Sequence, residues 1–345
     1  MLKNTNTREV LSQVHLFVAK LALYLLLKIN IMHHYSFTHR PNDSYINVLV
    51  LSLFLGFLLP QFFAPLNLYS TLFLQGIFFL SSLKIDFQEI QQELSRWRTL
   101  LLINFFMLFL LPAIAYILSS MFFPELTLPI LLLAAMPAGM TSPLLTELIR
   151  GNVPLSLIIT ISTSLLAPFT IPFILKLLSS GAVTIDTWAM ILTLTQVIFL
   201  PFILAQVCRL FITKNSLRKV GRPMKAASFI LLGLLLTSII AKYSHELRST
   251  FSFSSFIGIL QLSLFFFLVH ILSYTLFFWR NTRDRLTITL SIVYMNFTLA
   301  VFIAQKFFPD PQVIFFTMVS LIPWNICIII FRRISERLLQ REALS

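Results

Sequence analysis

Long apolar runs recur along the chain between residues 46 and 331, separated by short polar tufts. A helix needs roughly 20 apolar residues to cross about 30 Å of hydrocarbon. Ten stretches reach that length: 46–65, 68–85, 99–122, 127–149, 153–176, 187–212, 226–247, 255–279, 286–306 and 312–331. Within each the apolar residues are continuous rather than alternating, which favours helices over barrel strands. The pattern predicts an all-α multi-pass membrane protein with ten transmembrane helices in one domain over 46–331. The connections are too short for a soluble domain.

The flanks differ from this core. Residues 1–45 form an N-terminal extension. Its apolar stretch from Val14 to Met32 is interrupted by Lys20 and Lys28, and a central charge costs roughly 2.5–3.5 kcal/mol on insertion. An interfacial helix fits it, and a translation start at Met32 is the other reading. His33 and His34 belong to a polar linker and read as solvated residues, not metal ligands. Residues 332–345 form a basic tail.

Composition narrows the classes. Hydrophobic residues make up 57% and charged residues 11% of the 345, with a mean hydropathy of +0.87. A soluble domain is about a quarter charged, so a soluble enzyme and a disordered chain are both excluded. Cys208 and Cys327 form neither a disulfide framework nor a zinc spacing. The net charge of +13 lies in tufts between spans, a signature of topology and not of nucleic-acid binding. With the start of the first span placed inside, inner loops and tail carry 17 Lys and Arg and outer loops 4. The positive-inside rule then predicts both termini and the 213–225 loop cytoplasmic; a bacterial inner membrane is the expected location, with lipid as the surrounding partner.

Polar residues inside spans carry the chemistry, because irregular backbone at membrane depth must be buried in protein or line a cavity. Pro137, Gly139 and Pro143 surround Thr141 and Ser142 in the fourth span. Proline removes a donor and glycine frees the backbone, so both a kink and a true break are compatible. Gly151 closes one helix, while Asn152 and Pro154 suit the start of the next. The fifth span sets Ser156, Thr160, Thr163 and Ser164 on one face. Such a stripe serves close helix packing more often than a cavity. The ninth span holds Thr287, Thr289, Ser291, Tyr294, Asn296 and Thr298, without Pro or Gly. Trp324 and Asn325 are polar handles in the tenth, and His270 alone in the eighth reads as a bundle residue. Glu147 is a possible proton site, although pairing with Arg150 three residues on is the commoner arrangement.

The sequence from Pro137 to Pro143, then Leu148 to Ser156, and on through Thr160, Ser164, Pro168, Thr170 and Pro172, resembles the bile acid:sodium symporter family. Leu83-Lys84-Ile85-Asp86-Phe87, Pro112 and Met295-Asn296-Phe297-Thr298-Leu299-Ala300 are similar to further family segments. The resemblance runs from about residue 46 to 331. It implies two five-helix inverted repeats with panel and core parts. Spans four and nine would be discontinuous and cross near the midplane, with sodium bound at the crossing and an amphipathic organic anion in a cavity beside it. On that resemblance the cation residues are Ser142, Ser156, Thr160, Ser291 and Met295, and the substrate-cavity residues are Thr141, Pro143, Asn296 and Thr298.

Several ligands of the family pattern are replaced. Pro143 stands for its Asn, Ser291 for its Glu, Met295 for a Gln, and Met107 for a Gln in the third span. A thioether is a poor ligand for a hard cation, so the set reads as altered or vestigial. The expected function is a secondary transporter of small organic anions without strong sodium coupling. A sodium-independent or proton-linked facilitator or exporter is the alternative, and a non-transporting sensor or scaffold a further one. No nucleophile–base, paired-carboxylate or metal-ligand motif supports an enzyme. No cofactor is expected, a weakly held sodium aside.

Overall fold

The computed structural model describes residues 41–83, 85, 97–179, 186–212, 214–250 and 253–344. The expected interfacial helix, residues 1–40, and most of the 84–96 connection with Lys84 and Asp86 lie outside them. The described elements are helical: α1 (Pro41–Leu58), α2 (Ser70–Ser82), α3 (Trp97–Phe122), α4 (Thr127–Ala134), α5 (Ser142–Leu148), α6 (Val153–Leu178), α7 (Thr187–Phe211), α8 (Lys214–Lys242), α9 (Ser244–Thr250), α10 (Phe253–Leu276), α11 (Thr282–Val293), α12 (Phe297–Phe307), α13 (Pro311–Val319) and α14 (Leu321–Leu344).

Among the described residues, seven helices are long and apolar enough to cross a membrane, and Pro124–Ala134 and Phe297–Phe307 are shorter apolar pieces. The protein is an integral membrane protein. Its outward-facing side chains are large and apolar, such as Leu68, Phe211 and Phe278, and this surface meets lipid.

Three boundaries differ from those expected. The helix expected over 46–65 stops at Leu58, because Pro60 lacks a donor and the chain turns at Leu59, with φ −123° and ψ 51°. A tight turn over Ala64–Tyr69 then leads into α2. The expected loop at 213–225 is instead helical from Lys214; Lys and Arg, frequent there, are good helix formers. The last helix runs on through the basic tail to Leu344.

Among the described residues two compact units form: residues 41–70 with 229–250, and residues 71–228 with 253–344. In the first, α1 meets the later part of α8 through small residues. A Cβ on Gly56 would come within 2.7 Å of Ile240, and Ser52 Oγ donates to the Val48 carbonyl at 2.7 Å and the Gly233 carbonyl at 3.2 Å. Small residues allow this close approach.

The second unit is built round α6, which packs on α3, α5, α7 and α11. The third helix widens into a π turn over Phe106–Leu110, just before Pro112. That wide turn relieves the clash proline makes with the carbonyl four residues back. The short helices α4, α11 and α12 are buried nearly all round, as expected for apolar helices enclosed by others.

Candidate functional site: the crossing of two broken helices

The fourth apolar stretch is a broken helix. α4 ends at Ala134 and α5 begins at Ser142, with Pro143 as its second residue. The ninth is also broken: α11 ends at Val293, and Asn296 caps α12 by accepting from the Leu299 N–H at 3.1 Å. The two interruptions meet. Ala138 and Met295 form an antiparallel bridge. The Gly139 N–H donates to the Tyr294 carbonyl at 2.8 Å, and the Asn296 N–H to the Pro137 carbonyl at 2.7 Å.

This crossing answers a backbone problem. Each helix end leaves N–H and C=O groups unpaired, and lipid offers them no partner. Here each break supplies what the other lacks. Two hydroxyls complete the set: Thr163 Oγ1 accepts from the Ala138 N–H at 3.2 Å, and Ser142 Oγ donates to the Tyr294 carbonyl at 3.0 Å. Gly139 is required by contact, because a Cβ there would lie 2.5 Å from the Tyr294 carbonyl oxygen.

Ser142, Ser156, Thr160, Ser291 and Met295 are all buried, but they divide among three settings. Ser142 and Met295 belong to the crossing. Ser156 Oγ and Ser291 Oγ hydrogen-bond to each other at 3.2 Å. Thr160 Oγ1, 4% exposed, has no hydrogen-bond partner among the described residues, and neither has Ser164 Oγ one turn on.

Thr160 and Ser164 line a small cavity of about 40 Å³ with Met140, Pro143, Phe78 and Ile198. Of the expected cavity residues, Pro143 borders it, whereas Thr141, Asn296 and Thr298 do not. Asn296 Nδ2 is buried without a partner among the described residues. The fifth-span stripe therefore does two jobs: Ser156 and Thr163 pack and bond, and Thr160 and Ser164 face the cavity.

A second junction holds the same helices at their far ends. Asn152 caps α6 by accepting from the Leu155 N–H at 3.1 Å, and its Nδ2 donates to Asp284 Oδ1 at 2.9 Å. The Asn152 N–H donates to Thr287 Oγ1 at 2.8 Å. Asp284 also accepts from Arg280. Arg150, with φ 57°, takes the left-handed turn expected of Gly151. Gly151 is needed instead because a Cβ would lie 2.6 Å from Thr287 Oγ1.

Glu147 is exposed at the end of α5. Among the described residues no ion pair joins it to Arg150, so the expected local pairing is not formed; Arg150 donates its N–H to the Glu147 carbonyl instead.

Sequence reasoning missed Asn104. It is 7% exposed in α3, donates from Nδ2 to Ser162 Oγ at 3.0 Å and leaves Oδ1 unpartnered among the described residues. An amide in an apolar run was the available signal, three residues before Met107.

The sequence profile of the SBF-like CPA transporter family matches residues 43–339. The "Uncharacterized sodium-dependent transporter YocS" of Bacillus subtilis is 26% identical over 171 residues, covering 48% of this chain and 52% of that protein. "Uncharacterized protein PA2026" of Pseudomonas aeruginosa is 38% identical over 142 residues, covering 39% and 43%. The "Probable sodium/metabolite cotransporter BASS2, chloroplastic" of Oryza sativa is 25% identical over 200 residues, covering 56% and 45%. The matches thus span about half the length of each relative.

Proposed function

The chain belongs to the SBF-like CPA transporter family, and from that premise we propose that it is a secondary transporter of small organic anions whose coupling does not depend strongly on sodium. The observation that carries the transport reading is the crossing of two interrupted helices. Discontinuous helices whose unwound backbone lies in the bundle are the usual site builders of repeat-based transporters. The proposal includes ten spans arranged as two five-helix inverted repeats, with α4–α5 and α11–α12 as equivalent broken members. It also includes cytoplasmic termini, with the basic start of α8 on the same side; a cysteine placed at Asn215 would then be labelled only from inside.

The cavity beside Thr160, about 40 Å³ in this arrangement, marks where a ligand site would widen as the bundle opens. Apolar walls with a few hydroxyls suit the body of an organic solute. The names of the relatives point to sodium, while the residues at this crossing point away from it. Ser156 and Ser291 bond to each other, Ser142 is turned to a carbonyl, and residues 286–306 contain no Asp or Glu. Neutral oxygens alone compensate poorly for dehydrating a cation in a low-dielectric site.

Uptake of labelled anions into vesicles containing the purified protein tests both parts. Sodium, potassium and a proton gradient would be compared across a panel of mono- and dicarboxylates. Substrate-specific uptake that changes less than about twofold when potassium replaces sodium is expected. Absence of uptake across the panel overturns the transport reading. A steep, saturable sodium dependence abolished by Thr160→Val overturns the reading of the coupling.

A further inference from the structure

His270 is a buried titratable group to which the backbone pairing of the crossing gives no role. It lies in α10 and is 9% exposed. Its Nδ1 is 2.7 Å from the Phe266 carbonyl one turn back. A carbonyl only accepts, so Nδ1 carries the hydrogen and neutral Nε2 presents a lone pair. The Tyr294 hydroxyl donates to that lone pair at 3.4 Å. Tyr294 is fully buried, and its backbone carbonyl accepts from the Gly139 N–H and Ser142 Oγ at the crossing. One residue therefore connects an imidazole to both breaks.

We propose that His270 is a proton-binding site and that Tyr294 transmits its charge to the crossing, so that a proton fills the coupling role for which the crossing's neutral oxygens suit sodium poorly. A proton from water adds to the Nε2 lone pair. Tyr294 keeps its own hydrogen and turns its hydroxyl to accept, since a phenol oxygen both donates and accepts. The pair is hydrogen-bonded in either state; what changes is the charge. The enclosure is aromatic: the Phe331 ring lies 5.1 Å from the imidazole, and Trp324 packs edge-on against Tyr294 at 4.8 Å. An imidazolium enclosed by rings without a carboxylate is costly. Protonation thus favours an arrangement in which the crossing moves and water reaches the ring, and deprotonation favours the one described here. A bound ion shifts a conformational equilibrium only through such a difference in affinity.

The other titratable groups on the helices around His270 do not replace it. On α11, Asp284 is held by Arg280 and Asn152, Arg285 donates to the Tyr274 carbonyl and lies over its ring, and Arg283 shares that N-terminal end. On α14, Cys327 lies near Tyr294, and Arg332 pairs with Glu336. α13 carries no titratable side chain. Glu147, the proton candidate of the sequence, is exposed on α5.

The coupling role rests on the transporter reading, and the test separates the two. Full-length protein labelled with ¹⁵N-histidine in lipid nanodiscs reports tautomer and charge by NMR without a substrate. His270→Gln identifies the signal among six histidines. At about pH 8 the ring should show Nδ1–H and a bare Nε2, and as the pH is lowered to about 4 it should become doubly protonated. A nitroxide at Thr141→Cys, in a Cys208→Ala, Cys327→Ala background, should become at least about threefold more water-accessible over the same pH interval. His270→Gln should abolish that change. Tyr294→Phe, which keeps the histidine, should leave it titrating while the nitroxide no longer responds. A ring that stays neutral across the interval overturns the proposal. So does a nitroxide response that survives both variants, or one that never appears. If ring and nitroxide titrate together while every anion fails to enter vesicles, the proton site stands and the transport reading falls.

Discussion

Segments 135–141 and 294–296 interrupt two helices at one crossing, yet they are made of different residues. The first is broken by its own chemistry. Pro137 and Pro143 remove donors, and Gly139 lets another backbone approach to contact distance. The second contains neither residue. Tyr294, Met295 and Asn296 leave helical geometry because the first break supplies an N–H and a C=O for them, and because Asn296 caps α12. The first break shapes the second, and the dependence can be tested from either side.

The largest expected effect comes from closing the gap at Gly139. Gly139→Val places carbon where the Tyr294 carbonyl oxygen now lies, 2.5 Å from an ideal Cβ. It should destabilise the protein by roughly 3 kcal/mol through overpacking and loss of both bridging hydrogen bonds. Thermal unfolding in detergent and uptake should both show it. A variant that unfolds at the parental temperature would mean the two breaks do not need to touch.

The same contrast explains what the sequence revealed. The first break could be read as kink or interruption from Pro137, Gly139 and Pro143, because those residues act on their own backbone. The second carried no local signal; Thr287 to Val293 has ordinary helical residues, and its end at Tyr294 is imposed by a partner about 150 residues away in sequence. Resemblance, not residue chemistry, anticipated it. The hydroxyl stripe of α6 was visible as spacing, but its division between bonding and cavity-facing residues depends on which neighbours arrive. Gly151 shows the reverse case. Its need was legible and its reason was not, since the left-handed turn falls on Arg150 while Gly151 makes room for Thr287. Asn104 was overlooked because neither proline nor glycine marks its surroundings.

A smaller effect is expected at the far junction. Thr287→Val removes the acceptor for the Asn152 N–H while keeping the volume. Leaving a half-buried N–H unpaired costs about 1–2 kcal/mol. If the breaks are held mainly by each other, uptake should persist with little change in apparent affinity despite the lower unfolding temperature. Loss of uptake at unchanged expression would show that the far junction, and not the crossing alone, sets the geometry.

Asn296→Ala tests the second break by itself. It removes the cap on α12 and also an amide donor that has no partner among the described residues. Losing such a cap costs about 1 kcal/mol, and relief of the buried donor offsets part of it. A net loss of about 0.5 kcal/mol is expected, well below that of Gly139→Val. An equal loss would make the two breaks equally self-sufficient and would contradict the dependence of the second on the first.

The smallest expected effect is that of Thr160→Val, and it bears on what the crossing binds. Thr160 Oγ1 is buried and makes no hydrogen bond among the described residues. The two side chains have nearly the same shape, so the change adds no cavity and removes one unpaired polar atom. Replacing such an atom by an apolar group is close to neutral or stabilising, because no partner is stranded. The unfolding midpoint should therefore move by no more than about 0.5 kcal/mol equivalent, in sodium and in potassium alike. Uptake should fall if the hydroxyl meets the solute in the cavity it lines. A stability loss above about 1 kcal/mol that appears in sodium and vanishes in potassium would show the hydroxyl to be an ion ligand, since an ion that binds only the folded form stabilises it in proportion to its occupancy. The neutral crossing would then hold sodium after all, through Thr160 and the carbonyls of both breaks, and the sodium-independent reading would fall with it.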